Sequence, residues 1–350
     1  MTEPWYITRE AVKAALDVPE TARSNTLVDR SIGSGSRAVE GLTHRRFYPE
    51  LAVRYFDWPN GQYAMPWRLW LGPNELISVS AVVVAGVTLA DSDFILRRSD
   101  DRDEPPYTHV EINLASSAAF SAGDTHQRQI AITGSYGHSA DEAPAGTLAE
   151  ALDASETSVD VSDSAAVGIG DIIRAGDERM IVTGKSQLDT GQNLAGDLTA
   201  QAGGTTVSVA SGTAFTPGET ILIGGERMLI EDIAGNTLIV KRAWDGSTLA
   251  AHSTGADIYA PRTLVVERGA LGTTAAAHDS AAVLYRHEPP SLVRQLALAE
   301  ALNNTLQATS SYARLIGGLE SQKELIGRGL ADLRDQVRIR YARGPRLEAV

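Results

Sequence analysis

Two histidines close near-copies of one phrase, "STLAAH" ending at His252 and "TTAAAH" ending at His278, 26 residues apart. A glutamate is also repeated: "GDERMIV" from Gly176 and "GGERMLI" from Gly224 set Glu178 and Glu226 48 residues apart. A pair of imidazoles could ligate a metal ion. Alternatively, each His closes a turn by hydrogen bonding within its own module, and repetition favours this, because a motif written twice serves a module rather than one site. The acidic run "DDRDE", Asp100 to Glu104, could chelate a cation, but its spacing matches no calcium loop and reads as a solvated loop. "GSGS" at Gly33 to Ser36 lacks the Lys-Ser/Thr ending of a phosphate cradle and sits inside a helical pattern. G-x-S-x-G, H-E-x-x-H and dinucleotide fingerprints are absent. The expectation is a protein that is not an enzyme and holds no cofactor or metal.

One charged stretch stands out. From Lys323 onward, Lys323, Arg328, Arg334, Arg338, Arg340, Arg343 and Arg346 outnumber Glu324, Asp332, Asp335 and Glu348, in a chain of net charge −13. "VRIRYARGPRLEAV" alternates briefly and then becomes turn-like. It reads either as a frayed basic tail or as an arm that docks on an acidic partner surface, adding a strand to it.

The bulk composition bounds the rest. A length of 350 residues suits two or three domains, and 43% hydrophobic with 21% charged residues suits a folded chain. The negative balance disfavours coating of duplex DNA, and suits a surface that DNA slides past. Cys is absent, which excludes disulfides, thiolate zinc sites and cysteine nucleophiles. "MTEPWYITREAV" shows no secretory signal, and no apolar run reaches the roughly 20 residues of a membrane span.

Elements must position these groups. Thr8 is placed to cap a short helix through "REAVKAALD", and a longer helix is expected from about Pro19 to Phe47, with Val28, Ile32, Val39 and Leu42 on one face. Gly33, Gly35 and Gly41 on it would let another helix approach. Residues 51 to 137 read as an antiparallel β unit with turns at Asn60-Gly61 and Ala85-Gly86. From 138 to 288 short β runs and turn residues dominate. After Pro289-Pro290, Leu292, Leu296, Ala299, Leu302 and Leu306 form one helical stripe, and Leu319, Ile326, Leu330, Leu333 and Val337 another.

The two repeat offsets imply nesting. The order is front, front, back, back, with "EDIAGNTLIV" joining the inner halves through a turn at Gly235-Asn236. A copy inserted in the turn of another copy produces both offsets, and hairpin tips tolerate such insertions. The expected fold class is α+β: a helical core with a small antiparallel β unit, plus an inserted all-β domain of two nested β modules. The expected boundaries are a core of 1–137 together with 289–350, and an insert of 138–288, with outer module 149–190 plus 262–287 and inner module 198–260.

The phrases "ITREAVKAALDV", "VEGLTHRRFYP", "QIAITGSYGH" and "PPSLVRQLALAEALNN" resemble, in order and local pattern, the head–tail connector (adaptor) proteins of long-tailed bacteriophages over about 200 of the 350 residues. The inserted modules are similar to a β repeat of phage virion proteins, acidic-E-x-M…T-L-x-V-x-R-G…G-T-x-A-A-x-H. The inner copy departs from that pattern at Gly225 and Ala243. This resemblance implies a structural virion protein at the head–tail interface, assembled in the host cytoplasm, that forms a ring, usually of twelve subunits. Its implied partners are the portal protein, a tail-proximal connector or stopper protein, and DNA passing the lumen without sequence specificity; no membrane is implied. The portal-docking segment would then be Arg338, Arg340, Tyr341, Arg343 and Arg346. The alternatives are a virion-surface module recognising carbohydrate or another capsid or tail protein, and a tail-associated hydrolase.

Overall fold

The computed structural model describes residues 3–16, 25–59, 65–100, 103–121, 123–309, 315–316, 323–324 and 328–343. The chain divides into two compact units. The first comprises Met1–Val39, Glu142–His287 and Leu292–Asp335, and the second Glu40–Asp141, Glu288–Ser291 and Gln336–Val350. Residues 1–39 thus group with the repeat region.

Alternating side chains build the second unit's strands: β1 (Glu50–Phe56), β2 (Arg68–Trp70), β3 (Leu76–Val84), β4 (Val87–Thr88), β5 (Phe94–Arg97), β6 (His109–Ile112) and β7 (Ile130–Tyr136). They form a four-stranded sheet, β1-β7-β3-β4, and a three-stranded sheet, β2-β6-β5. Leu69, Val110 and Ile112 of one share a core with Leu76, Val82, Ile130 and Ile132 of the other. The turn at Ala85-Gly86 joins Val84 to Val87, with both turn residues at positive φ. The Asn60-Gly61 turn lies outside the described residues. The hairpin expected around it is not the one formed: β1 pairs with β7, from Glu50↔Tyr136 to Phe56↔Ile130, and β2 joins the other sheet. Alternation marks a strand and its inward face but does not choose its neighbour.

The first unit holds α1 (Arg9–Leu16), most of α2 (Asn25–Thr43), α3 (Ser291–Thr309) and part of α4 (Arg328–Tyr341). Thr8 caps α1, its Oγ1 accepting from the Ala11 amide at 3.2 Å. Val12, Val28, Ile32 and Ala301 bury one another. Gly35 has a packing reason: a Cβ there would sit 3.1 Å from the Ala297 carbonyl oxygen and 3.2 Å from the Ala301 nitrogen.

Against these few helical contacts stands a ten-stranded antiparallel sheet. Its strands are β8 (Glu142–Thr147), β9 (Ser158–Asp160), β10 (Ile172–Ala175), β11 (Glu178–Asn193), β12 (Thr206–Ser208), β13 (Thr220–Ile223), β14 (Glu226–Ala234), β15 (Thr237–Lys241), β16 (Asp257–Glu267) and β17 (Val283–His287). They run β12-β15-β14-β13-β16-β11-β10-β17-β8, with β9 also on β16. The expected helical core is therefore corrected: the protein is mostly β, 36% strand and 22% helical. The helices bury one small cluster, whereas the large buried clusters lie within the sheets.

Both repeat offsets reappear in the register. Ile181 faces Glu267 in the β11–β16 ladder, and Leu229 faces Lys241 in the β14–β15 ladder. A bulge follows in each, between Val182 and Gly184 and between Ile230 and Asp232. β14 and β15 meet at Ala234↔Thr237 around Gly235-Asn236. In the outer copy that turn is replaced by the whole inner module. Each copy has its own core: Val159, Ile173, Met180 and Leu264 in the outer, and Val207, Ile221, Met228 and Leu238 in the inner.

The alternating stretch "VRIRY" is helical, being the end of α4, and is not the strand expected of a docking arm. The stripe residues Leu319 and Ile326 lie outside the described residues. β18 (Leu315–Ile316) and β19 (Lys323–Glu324) pair between α3 and α4.

Candidate functional site

The repeated Glu and His meet. The β10–β11 turn at Gly176-Asp177 delivers Glu178 into the outer core, where it is 1% exposed. Its two oxygens take Nε and Nη2 of Arg268 at 2.7 and 2.8 Å. His278 Nε2 lies 2.8 Å from Oε2, and the amides of Gly269 and Ala276 donate at 3.0 and 3.1 Å. The inner copy repeats the arrangement: Glu226 holds Arg242 at 2.7 and 2.8 Å, His252 at 2.9 Å, and the amides of Ala243 and Ala250 at 3.0 and 3.1 Å. Each arginine uses its remaining N–H groups on carbonyls, Arg268 on Asp153, Glu156 and Ala276, and Arg242 on Thr199, Gly204 and Ala250.

Burial alone would raise these carboxyls. The arginine and histidine hydrogen bonds and the two amides outweigh it and hold both Glu178 and Glu226 down at about 2. The result is a polar knot inside each module that fixes four chain segments with charge-assisted hydrogen bonds. Each His closes its own module rather than joining the other His, and no group of three or more His, Cys, Asp or Glu is placed to hold a metal among the described residues. Asp100 pairs with Arg98 at 3.0 Å and Asp103 with Arg97 at 2.9 Å, both exposed; Asp101 lies outside the described residues.

The basic C-terminal segment goes elsewhere, within the second unit. The Arg343 amide donates to the Thr43 carbonyl at 3.2 Å, and its guanidinium donates to the carbonyls of Gly72 and Pro73 at 3.1 and 2.9 Å. The same guanidinium reaches the buried Glu75 carboxylate at 3.3 Å. Arg45 meets Glu75 from another side at 3.1 Å, and His138 stands 3.6 Å from it. Tyr341 packs edge-on against Phe47 and His138, with ring centroids 5.5 Å away in both cases. Burial pushes Glu75 upward, but His138, Arg45 and Arg343 prevail and hold it below the usual carboxylate range. Burial likewise depresses Arg45, with the charges of Arg343 and Arg98 adding to it and that of Glu75 opposing. Next to this cluster is a cavity of about 350 Å³ lined by Arg45, Arg46, Arg54, Glu50, Glu75 and Arg343.

Of the residues expected to dock on a portal, Tyr341 and Arg343 are therefore engaged by their own chain. Arg338 and Arg340 are exposed on the last turns of α4, Arg340 lying 5.7 Å from the Tyr341 ring, and Arg346 is outside the described residues. The sequence reading did not single out Glu75 or His138, which stand alone in the sequence with no repeat to mark them. Arg242 and Arg268 were legible in principle, because an Arg follows the T-L-x-V run in both copies, as the Glu and the His recur in theirs.

No family model, curated protein or solved structure matches the chain.

Proposed function

We propose that this chain is a structural adaptor of a phage-type head–tail connector, working by assembly rather than turnover. The anchoring of Tyr341 and Arg343 carries the reading. They bind Thr43, Phe47 and His138, residues of "VEGLTHRRFYP" and "QIAITGSYGH", two of the four phrases on which the resemblance rests. Such closure holds the end of α4 and Arg343 to the second unit, the anchorage that a docking arm requires. The use of the buried Glu, Arg and His on one another also suits a structural role.

A specific ring interface would bury at least about 1,000 Å² in total per contact. Native mass spectrometry of the full chain, alone and with the portal of its own particle, tests this. Closed oligomers or a portal complex are expected; a monomer under both conditions overturns the reading. The alternative, a surface module for carbohydrate or another virion protein, predicts instead saturable binding to particles already assembled without this chain.

A further inference from the structure

One acidic position is held differently in the two modules. Glu219 and Asp171 are equivalent: the amides of Ile230 and Val182 bond to their carbonyls, and their own amides bond to Thr216 and Gly168. Glu219 is buried and fully engaged, taking Nε and Nη2 of Arg262 at 2.8 Å each and the Ser164 hydroxyl at 2.7 Å. Asp171 has no such fork. Its Oδ2 accepts only the Gly168 amide, at 2.7 Å.

Asp171 instead faces a cavity of about 320 Å³ inside the first unit, walled by α1, both modules and the Trp244-Asp245 turn. Lys185 lines it, with its side chain 7% exposed. Its ammonium carries three donors but bonds only the Ser164 carbonyl, at 3.0 Å; the nearest carboxylate oxygen, from Glu10, is at 3.6 Å. Across the cavity Lys13 and Arg227 share one carboxylate, Asp245, at 2.7 and 3.0 Å. Arg286 also lines the wall and donates to the Ala166 carbonyl at 2.7 Å. Lysine and arginine charge thus exceeds carboxylate charge around a space large enough for a small ligand.

We propose that this cavity binds a small oxyanion, a phosphate or carboxylate group, held by Lys185 with Lys13, Arg227 and Arg286 around it. The site is independent of the assembly reading. Burial, reinforced by Glu10 and opposed by the Gly168 amide, Arg286 and Lys185, pushes Asp171 up to about 7. Below that pH Asp171 is neutral and can donate to the anion; above it, its charge repels the anion.

The test is calorimetry and thermal shift of the full chain with inorganic phosphate, and in a second arm acetate or citrate, against chloride at equal ionic strength. Saturable binding is expected, tighter at pH 6 than at pH 8, and weakened about tenfold or more in Lys185→Met. In the acetate arm, where the ligand's own charge is constant from pH 6 to 8, Asp171→Asn should remove the pH dependence and leave binding in place. Arg227→Gln, at a partly exposed position, repeats the test if Lys185→Met does not fold, and should weaken binding severalfold. Preference for phosphate or for carboxylate identifies the ligand class. No saturable binding of either, or binding unchanged in both variants (an adventitious ion only), overturns the proposal.

Discussion

Glu178 and His278 are 100 residues apart in the chain, yet Oε2 and Nε2 lie 2.8 Å apart. Glu226 and His252, only 26 apart, make the same contact at 2.9 Å. One geometry spans two very different loops, because the longer loop contains the entire inner module. Loop closure rises only logarithmically with length, and a folded insert whose ends meet adds little to it.

Glu178→Gln and Glu226→Gln should each destabilise the chain by about 3–5 kcal/mol, since each leaves a buried arginine without its counter-charge. The knots share no partner residue, so their effects in the double variant should add within about 0.5 kcal/mol. Denaturant titration with hydrogen exchange checks both the size and the localisation. Loss of protection spreading equally through both modules from either single change would contradict separate cores.

The knots also set an acid limit. Glu178 and Glu226 are held at about 2, below their ordinary value of 4.5. A carboxylate so depressed contributes stability that is complete above about 4.5 and is lost as pH falls towards 2. Asp171 works in the opposite sense. Raised from 3.8 to about 7, it makes the folded state less stable as pH climbs between those values. Melting temperature against pH should therefore fall steeply below about 4.5 and decline gently from 4 to 7, and Asp171→Asn should flatten the second slope only.

Glycine use differs between the copies. Gly269 donates to Glu178 from φ +58, and Ala243 donates to Glu226 from φ +52. The alanine is strained there by roughly 1 kcal/mol. Ala243→Gly should stabilise the inner module by up to about 1 kcal/mol. Gly269→Ala should cost more than the strain alone, because its Cβ would lie 3.1 Å from the Ala275 nitrogen. Thermal denaturation of the pair checks the opposite signs.

Trp5 seals the first unit's N-terminal segment onto Gly170, where a Cβ would come within 2.3 Å of the indole and φ is +102. Gly170→Ala should destabilise by more than about 1 kcal/mol and release Trp5. A red-shifted fluorescence component, absent in a Trp5→Phe background, is the signature; an unchanged spectrum contradicts this packing.

Glu75→Gln should loosen the end of α4, leaving Arg45 and Arg343 facing each other without their carboxylate. Faster exchange of the Arg343 amide and earlier proteolysis after Tyr341 are expected, at a cost of roughly 3 kcal/mol. Retained protection would show that the Gly72 and Pro73 carbonyls suffice alone.

Several parts of this were legible in the residues themselves. Thr8 announced the cap it makes, Gly35 the close approach it permits, and Gly235-Asn236 and Ala85-Gly86 the turns they form, because these are local constraints on backbone dihedrals and nearest contacts. The paired offsets of Glu and His carried the register of two whole modules, since one pattern written twice fixes its own alignment. Other features were not local. β1 chose β7 rather than the strand after Asn60-Gly61, and "VRIRY" became helix, because its short alternation carries little weight against the continuing turn of α4 on which Val337 is buried. Glu75 gathers Arg45, His138 and Arg343 from three distant segments, and Asp171 lacks the arginine fork that its counterpart Glu219 holds. By itself, the sequence determined the repeat, its turns and the residues that had to be buried; which charges met, and which acid was left facing a cavity, was decided by tertiary structure, because an ion pair depends on the distance and desolvation of both partners and neither is written in the chain between them.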